Sequence, residues 1–102
     1  MNIFVDGALP VAIKVIAGDK ELKLKKFEMS TLTVRQALDL QSKLKPDQYT
    51  GIAEVCEQTK LVDESGNCHE LSYEALMSSS SQNLNCLTTK KAELDAKEQA
   101  ES

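Results

Sequence analysis

The 102-residue sequence has no tryptophan and only four other aromatic residues, Phe4, Phe27, Tyr49 and Tyr73. Its core must therefore be built mainly from Leu, Ile, Val and Ala side chains, most of which bury less area than an aromatic ring. A single domain of this length has a modest core and a small net stability. The shortage of large apolar side chains favours a fold that a partner or a second copy completes.

Long apolar runs are also absent from the sequence. No stretch approaches the roughly 18 apolar residues that a membrane-spanning helix requires. The N-terminal segment lacks a basic start, and Asp6 and Pro10 interrupt its apolar residues, so it does not resemble a secretory signal peptide. We therefore expect a cytoplasmic protein in which Cys56, Cys68 and Cys86 are free thiols.

Motifs that would indicate catalysis or cofactor binding are missing. The glycine-rich nucleotide-binding patterns do not occur. A zinc site made of Cys56, Cys68, His69 and Cys86 would lack closely spaced ligand pairs, and adjacent ligands such as Cys68 and His69 rarely bind one ion. His69 is the only histidine, and nothing in the pattern supplies an orienting group for Cys–His catalysis. We expect no enzyme activity, no cofactor and no metal.

Charge is distributed unevenly along the chain, whose net charge is −4. Residues 1–45 contain eight Lys and Arg against five Asp and Glu, whereas residues 46–102 contain four against eleven. The acidic second half argues against a nucleic-acid surface there, and the basic excess of the first half is too weak to predict one. The asymmetry would suit head-to-tail self-association or a basic partner, but it equally describes a solvated surface.

The first regular structure that the sequence predicts is a β-hairpin. Residues 10–16 and 20–26 alternate apolar and polar side chains, and a short segment containing Gly18 separates them. This pattern predicts a hairpin over residues 10–26 with one apolar face. Because an isolated hairpin is only marginally stable in water, we expect the helices that follow to cover that face.

Helical patterns dominate the rest of the chain. Thr33 and Gln36 have the spacing of a capping box, and Pro46 is tolerated near the start of a second helix. The predicted helices span about residues 33–44, 46–60, 72–77 and 81–97, with a loop at 63–67 and a frayed tail at 99–102. The predicted fold class is α+β: a small N-terminal β-hairpin followed by three to four α-helices, in one domain over residues 1–98.

The last predicted helix has a narrow apolar stripe made of Leu84, Leu87 and Leu94. Spacings of three and seven residues place these leucines on one side of an otherwise polar helix. So thin a stripe suits either packing on its own domain or binding of a partner. The sequence alone leaves both open.

The first two predicted helices match a helix-turn-helix motif poorly. The second helix begins with Asp47, Gln48 and Tyr49, and its only basic residue is Lys60 near its end. A recognition helix needs side chains in its first turns that can contact bases and phosphates. A small regulatory, DNA-binding or host-interaction protein is the alternative function, and a structural component of a larger assembly is a further one.

Two stretches of the sequence resemble the tail assembly chaperone family of Mu-like contractile-tailed phages and prophages. They are LKKFEMSTLTVRQALDLQSKL, residues 24–44, and HELSYEALMSSSSQNLNCLTTKKAEL, residues 69–94. The second contains the matching segment from Leu71 to Leu76, followed by Asn83, Leu84 and Leu87.

The resemblance implies a non-enzymatic chaperone that binds the tape measure protein during tail morphogenesis. It implies action in the host bacterial cytoplasm and absence from the mature virion, without nucleic acid or membrane as partners. Further partners in such a system are the tail tube protein, a frameshifted longer form of the chain and a second copy of it. The residues that we expect to bind the partner helix are Val34, Leu38, Ile52, Leu84, Leu87 and Leu94.

Overall fold

The computed structural model describes residues 3–101, and the side chains of residues 3–100. The elements follow in the order β1 (Phe4–Ala17), β2 (Lys20–Ser30), α1 (Val34–Lys43), α2 (Thr50–Gln58), β3 (Thr59–Val62), β4 (Cys68–Glu70), α3 (Tyr73–Met77) and α4 (Ser81–Glu101).

The β1–β2 hairpin is longer than the predicted residues 10–26. Ala17 pairs with Lys20 across a turn in which Gly18 has φ of +68°, a backbone conformation that glycine adopts without steric cost. The pairing register shifts between Ala8 and Ile13, because the intervening segment of β1 bulges out of the ladder. Pro10, which has no backbone N–H to donate, lies within this bulge.

The predicted fold class is wrong in its β-structure, because the hairpin is half of a four-stranded antiparallel sheet of order β1-β2-β3-β4. The predicted helix over 46–60 ends at Gln58, and the next residue, Thr59, begins β3. The predicted loop at 63–67 is confirmed, and it forms the turn of a hairpin between β3 and β4. Its Asp63 side chain accepts backbone hydrogen bonds from Ser65 and Asn67, and these hold the turn.

One face of the sheet forms the core. Phe27, Met29 and Leu61 are fully buried there, and α4 lies against β1 and β2, contributing Leu87 and Leu94 to the same cluster. Each fully buried side chain of this kind stabilises the fold by about 1.5–3 kcal/mol relative to its exposed state. The helices therefore cover the hairpin, as the sequence predicted.

The bulge in β1 is held by α4. The Val11 N–H donates to Asn83 Oδ1 at 3.0 Å, and Asn83 is fully buried. Nearby, the Cys86 thiol donates to the Ala8 carbonyl at 3.6 Å. These bonds give the bulged backbone partners that the β-ladder does not provide.

The capping box of α1 is confirmed. Thr33 Oγ1 accepts from the Gln36 N–H at 3.1 Å, and Gln36 Oε1 accepts from the Thr33 N–H at 2.9 Å. In contrast, Pro46 lies in a turn before α2, because the Gln48 N–H donates to the Lys45 carbonyl at 3.0 Å. Proline is favoured at the second position of such a turn, so α2 begins only at Thr50.

The C-terminal helix is also longer than predicted. It was expected over residues 81–97 and runs over Ser81–Glu101. Of the predicted frayed tail at 99–102, residues 99–101 are helical, and Ser102 lies outside the described residues.

Candidate functional site: an apolar groove between α2 and α4

An open groove of about 720 Å³ lies between α2 and α4. It is lined by Tyr49, Gly51, Ile52, Val55, Met77, Leu84, Thr88 and Lys91. Among these described residues, Lys91 is the only charged one. Such a surface favours contact with another apolar surface over binding of a polar metabolite.

The wall formed by α4 results from the spacing of its residues. Leu84, Thr88 and Lys91 follow one another at intervals of four and three, so they share one side of the helix. Leu87 and Leu94, seven residues apart, lie on the neighbouring side and enter the core. The helix therefore packs on the sheet with one side and borders the groove with the adjacent one.

The groove exposes large apolar side chains at its rim. Tyr49 is 67% exposed and Met77, the last residue of α3, is 46% exposed. Ile52 and Leu84 are half-buried, and Val55 is buried. Contiguous apolar surface of this kind marks interaction sites in soluble domains, whereas single exposed apolar residues do not.

The N-terminus of α2 is held by a side chain from α3. The Tyr49 N–H donates to Tyr73 Oη at 2.9 Å. This bond occupies one of the backbone donors that a helix start leaves unpaired. It also fixes the backbone from which the Tyr49 ring extends to the rim of the groove.

Two of the six expected partner-binding residues are part of the core. Leu87 and Leu94 are both 0% exposed, because α4 packs them against the sheet. Their expected role in binding a partner is corrected accordingly: they hold α4 on its own domain. The alternative that the leucine stripe packs internally therefore applies to these two residues.

The other four expected residues fall in two places. Ile52 and Leu84 both line the groove. Val34 and Leu38 lie four residues apart on α1 and are exposed. None of the α1 residues that the structure describes is fully buried, so this helix rests on the domain through half-buried side chains only.

Sequence reasoning missed six of the groove residues, which are Tyr49, Gly51, Val55, Met77, Thr88 and Lys91. The 84–88–91 spacing was visible in the sequence, but the two polar residues in it concealed a binding face. Tyr49 and Met77 come from the ends of two different elements. Only the packing of α2 and α3 beside α4 brings them together.

A second, smaller cavity of about 270 Å³ lies between α1, α2 and the β3–β4 hairpin. Its lining includes the charged side chains Lys43, Glu57, Lys60 and Glu70. Small-molecule sites usually enclose about 300–1,000 Å³ of mostly apolar space. This cavity is a weaker candidate site than the groove.

The cysteine and histidine residues do not form a reactive pair. Successive residues of a strand point to opposite faces, so Cys68 and His69 in β4 face away from each other. His69 Nε2 lies 2.9 Å from Asp63 Oδ2, and this bond is the main reason that the pKa of Asp63 is lowered. Burial, with a smaller effect from Glu57, raises the pKa of Cys56 to about 11. That thiol is therefore protonated at neutral pH.

Within residues 3–101, no group of three or more His, Cys, Asp or Glu side chains is placed to hold a metal ion. No helix in this part of the chain has the length and apolar character needed to cross a bilayer.

Comparison with family models, with curated proteins and with solved structures finds no match for the chain.

Proposed function

We propose that this chain is a non-enzymatic binding protein that holds an amphipathic helix of a partner in the groove between α2 and α4. The observation that carries the proposal is the apolar lining of the groove, with Tyr49 and Met77 exposed at its rim. Amphipathic helices bind in such grooves through apolar residues at three- and four-residue spacing.

The partner in this proposal is the tape measure protein of a contractile-tailed phage, and the chain is its tail assembly chaperone. The resemblance of residues 24–44 and 69–94 to that chaperone family supports this identity. A tape measure protein is long and rich in helix, so its apolar stripes need cover before the tail tube forms around it. Many copies of a small domain, each binding weakly, would provide that cover along one long molecule.

The same proposal assigns a place and a time of action. The chain acts in the host bacterial cytoplasm and leaves before the virion is complete. The tail tube protein and a frameshifted longer form of the chain are its further proposed partners. Mass spectrometry of purified particles tests this part: the tape measure protein should be detected and this chain should not.

The proposed function is tested by co-expression with the tape measure protein encoded beside the gene. The measurement is the soluble fraction of the tape measure protein and its recovery with the tagged chain. We expect the soluble fraction of the tape measure protein to fall to background when the chain is omitted. The soluble fraction and the recovery with the tagged chain should both fall strongly for the double variant Tyr49→Ser, Met77→Ser. Both residues are exposed, so the variant should stay folded.

The matched control is Ile16→Ser. Ile16 is 77% exposed on the hairpin, away from the groove lining, so this change also removes an exposed apolar side chain. It should leave recovery of the tape measure protein unchanged. Equal recovery with the groove variant and with wild type would contradict the assignment of the groove, and no recovery with wild type would contradict the proposed function itself.

A further inference from the structure

β1 is the first strand in the sheet order, so one of its edges has no neighbouring strand among the described residues. The Thr31 N–H, directly after β2, donates to the Ile3 carbonyl at 3.3 Å, so the backbone groups of Ile3 point toward β2. Backbone groups alternate in direction along an antiparallel strand, and those of Phe4, Asp6 and Ala8 therefore point away from β2, to the outer edge. Such an edge is a template for pairing with another strand.

Side chains of α4 bind carbonyl groups of this outer edge. Lys97 Nζ donates to the Phe4 carbonyl at 3.3 Å. The Cys86 thiol donates to the Ala8 carbonyl at 3.6 Å. Both acceptors belong to the residues whose backbone points away from β2. The helix therefore supplies donors at positions where the amides of a further strand would lie.

Two more contacts extend this series along β1. Asn83 Oδ1 accepts from the Val11 N–H in the bulge. A Cβ on Gly7 would lie 3.1 Å from Lys90 Cε, so the stem of this lysine lies against the strand. We call four residues of α4 the strap: Asn83, Cys86, Lys90 and Lys97. In the same order, they meet β1 at Val11, Ala8, Gly7 and Phe4.

The order of these contacts shows that α4 runs antiparallel to β1. From residue 83 to residue 97 a helix rises about 21 Å, and from residue 4 to residue 11 an extended strand spans about 23 Å, so the two are matched in length. Spacings of three, four and seven residues place the strap on one side of α4. Leu87 and Leu94 occupy the next side, and the groove residue Leu84 lies beyond them.

We propose that the strap occupies the outer edge of β1 in place of a fifth strand and so prevents β1 from pairing with β1 of a second copy. A second copy is the partner that this edge fits, because two identical antiparallel strands related by a two-fold axis exchange donors and acceptors with each other. The exposed side chains of Phe4 and Ile16 on the same strand would add apolar contact to that pairing. This inference stands apart from the proposed function.

The strap can open at its C-terminal end without loss of core contacts. Leu94 is fully buried, whereas residues 95–100 are all exposed. Lys97 is therefore the strap residue whose release disturbs the domain least, and the Phe4 carbonyl is the first edge group that becomes available. Opening at this end would convert the chain into a form that associates through β1.

The test compares two double variants of the full chain by sedimentation velocity over a concentration series. The strap variant is Cys86→Ala, Lys97→Ala, and the matched control is Thr88→Ala, Lys91→Ala, on the groove side of the same helix. Each variant loses one lysine and one small side chain, so their net charges are equal. Reducing buffer prevents disulfides between copies through the exposed Cys68, and circular dichroism verifies that each variant is folded.

We expect the association constant of the strap variant to exceed those of wild type and of the control by about tenfold or more, because several backbone hydrogen bonds between two edges add up to such a factor. Lys97→Ala alone should give a smaller increase of the same kind. Lys97 is exposed, so this single variant decides the test if the double variant is unfolded.

Ala8→Pro in the strap variant identifies the surface that associates. The Ala8 N–H points away from β2, so proline removes an outward donor without breaking the β1–β2 ladder. We expect this change to reverse the association. The inference is overturned if the folded strap variant associates no more strongly than the control, or if its association persists unchanged with Ala8→Pro.

Discussion

Replacing Leu87 by alanine should destabilise the fold much more than the same replacement at Leu84, three residues away on α4. Leu87 is 0% exposed and belongs to the buried cluster that contains Phe27, Met29 and Leu61. Removing about three methylene equivalents costs roughly 2.4 kcal/mol in transfer free energy, and the cavity left behind raises the loss to about 3–4 kcal/mol. A 102-residue domain has a total stability of about 5–15 kcal/mol, so this is a large share of it.

Urea denaturation followed by circular dichroism measures both changes. With a slope of about 1–3 kcal/mol per M, Leu87→Ala should lower the midpoint by about 1–4 M. Leu84 is half-buried in the groove, so Leu84→Ala should lose about 1 kcal/mol or less while weakening partner binding. The packing described for α4 is refuted if Leu87→Ala loses less than about 1 kcal/mol, or if the two variants are destabilised equally.

Three further predictions concern other parts of the domain. Asn83→Ala should cost about 1–3 kcal/mol, because it leaves the Val11 N–H of the β1 bulge without its buried acceptor. Hydrogen bonds to Asp63 lower its pKa, so they stabilise the fold at pH values above the ordinary carboxyl pKa of about 3.9. This contribution is lost as the pH falls through the lower pKa of the folded state. A pH series of urea midpoints measures the loss. Iodoacetamide at pH 8 should modify exposed Cys68 and leave Cys56 unmodified until the chain unfolds, as mass spectrometry of peptides would show.

Each of these predictions has its own control. Asn85→Ala, at an exposed position of the same helix, should change stability by less than about 0.5 kcal/mol, and a similar small loss for Asn83→Ala would contradict the bulge contact. Asp63→Asn should reduce the loss of stability in acid. An unchanged dependence of stability on pH would show that Asp63 does not cause that loss. Rapid native labelling of Cys56 would contradict its burial.

The β-structure shows how far the sequence could predict the fold. Alternation around Gly18 was sufficient to find the β1–β2 hairpin, because one of its faces is buried and the other is solvated. The strands β3 and β4 have only four and three residues, too few for a period of two to be distinguished from a helix end. Because α2 passes directly into β3, the sequence pattern predicted a helix that continues to Lys60, two residues beyond its end at Gln58.

Only part of the candidate site could be predicted from the sequence, and the reason is geometrical. The stripe of Leu84, Leu87 and Leu94 is visible in the sequence, but the positions of neighbouring elements decide which leucine enters the core. At 3.6 residues per turn, Leu84 and Leu87 are about 60° apart around the helix, so they can face different neighbours. The groove itself depends on the packing of three helices, which no local pattern encodes.

The most direct test of the account is methyl NMR of the isotopically labelled chain during titration with a tape measure fragment. Ile52, Met77 and Leu84 all carry methyl groups and line the groove, whereas Val34 and Leu38 report on the exposed face of α1. We expect the methyl signals of the groove residues to shift on binding and those of α1 to stay in place. Shifts confined to α1, or no shift at any of these methyl groups, would contradict binding of the partner helix in the groove.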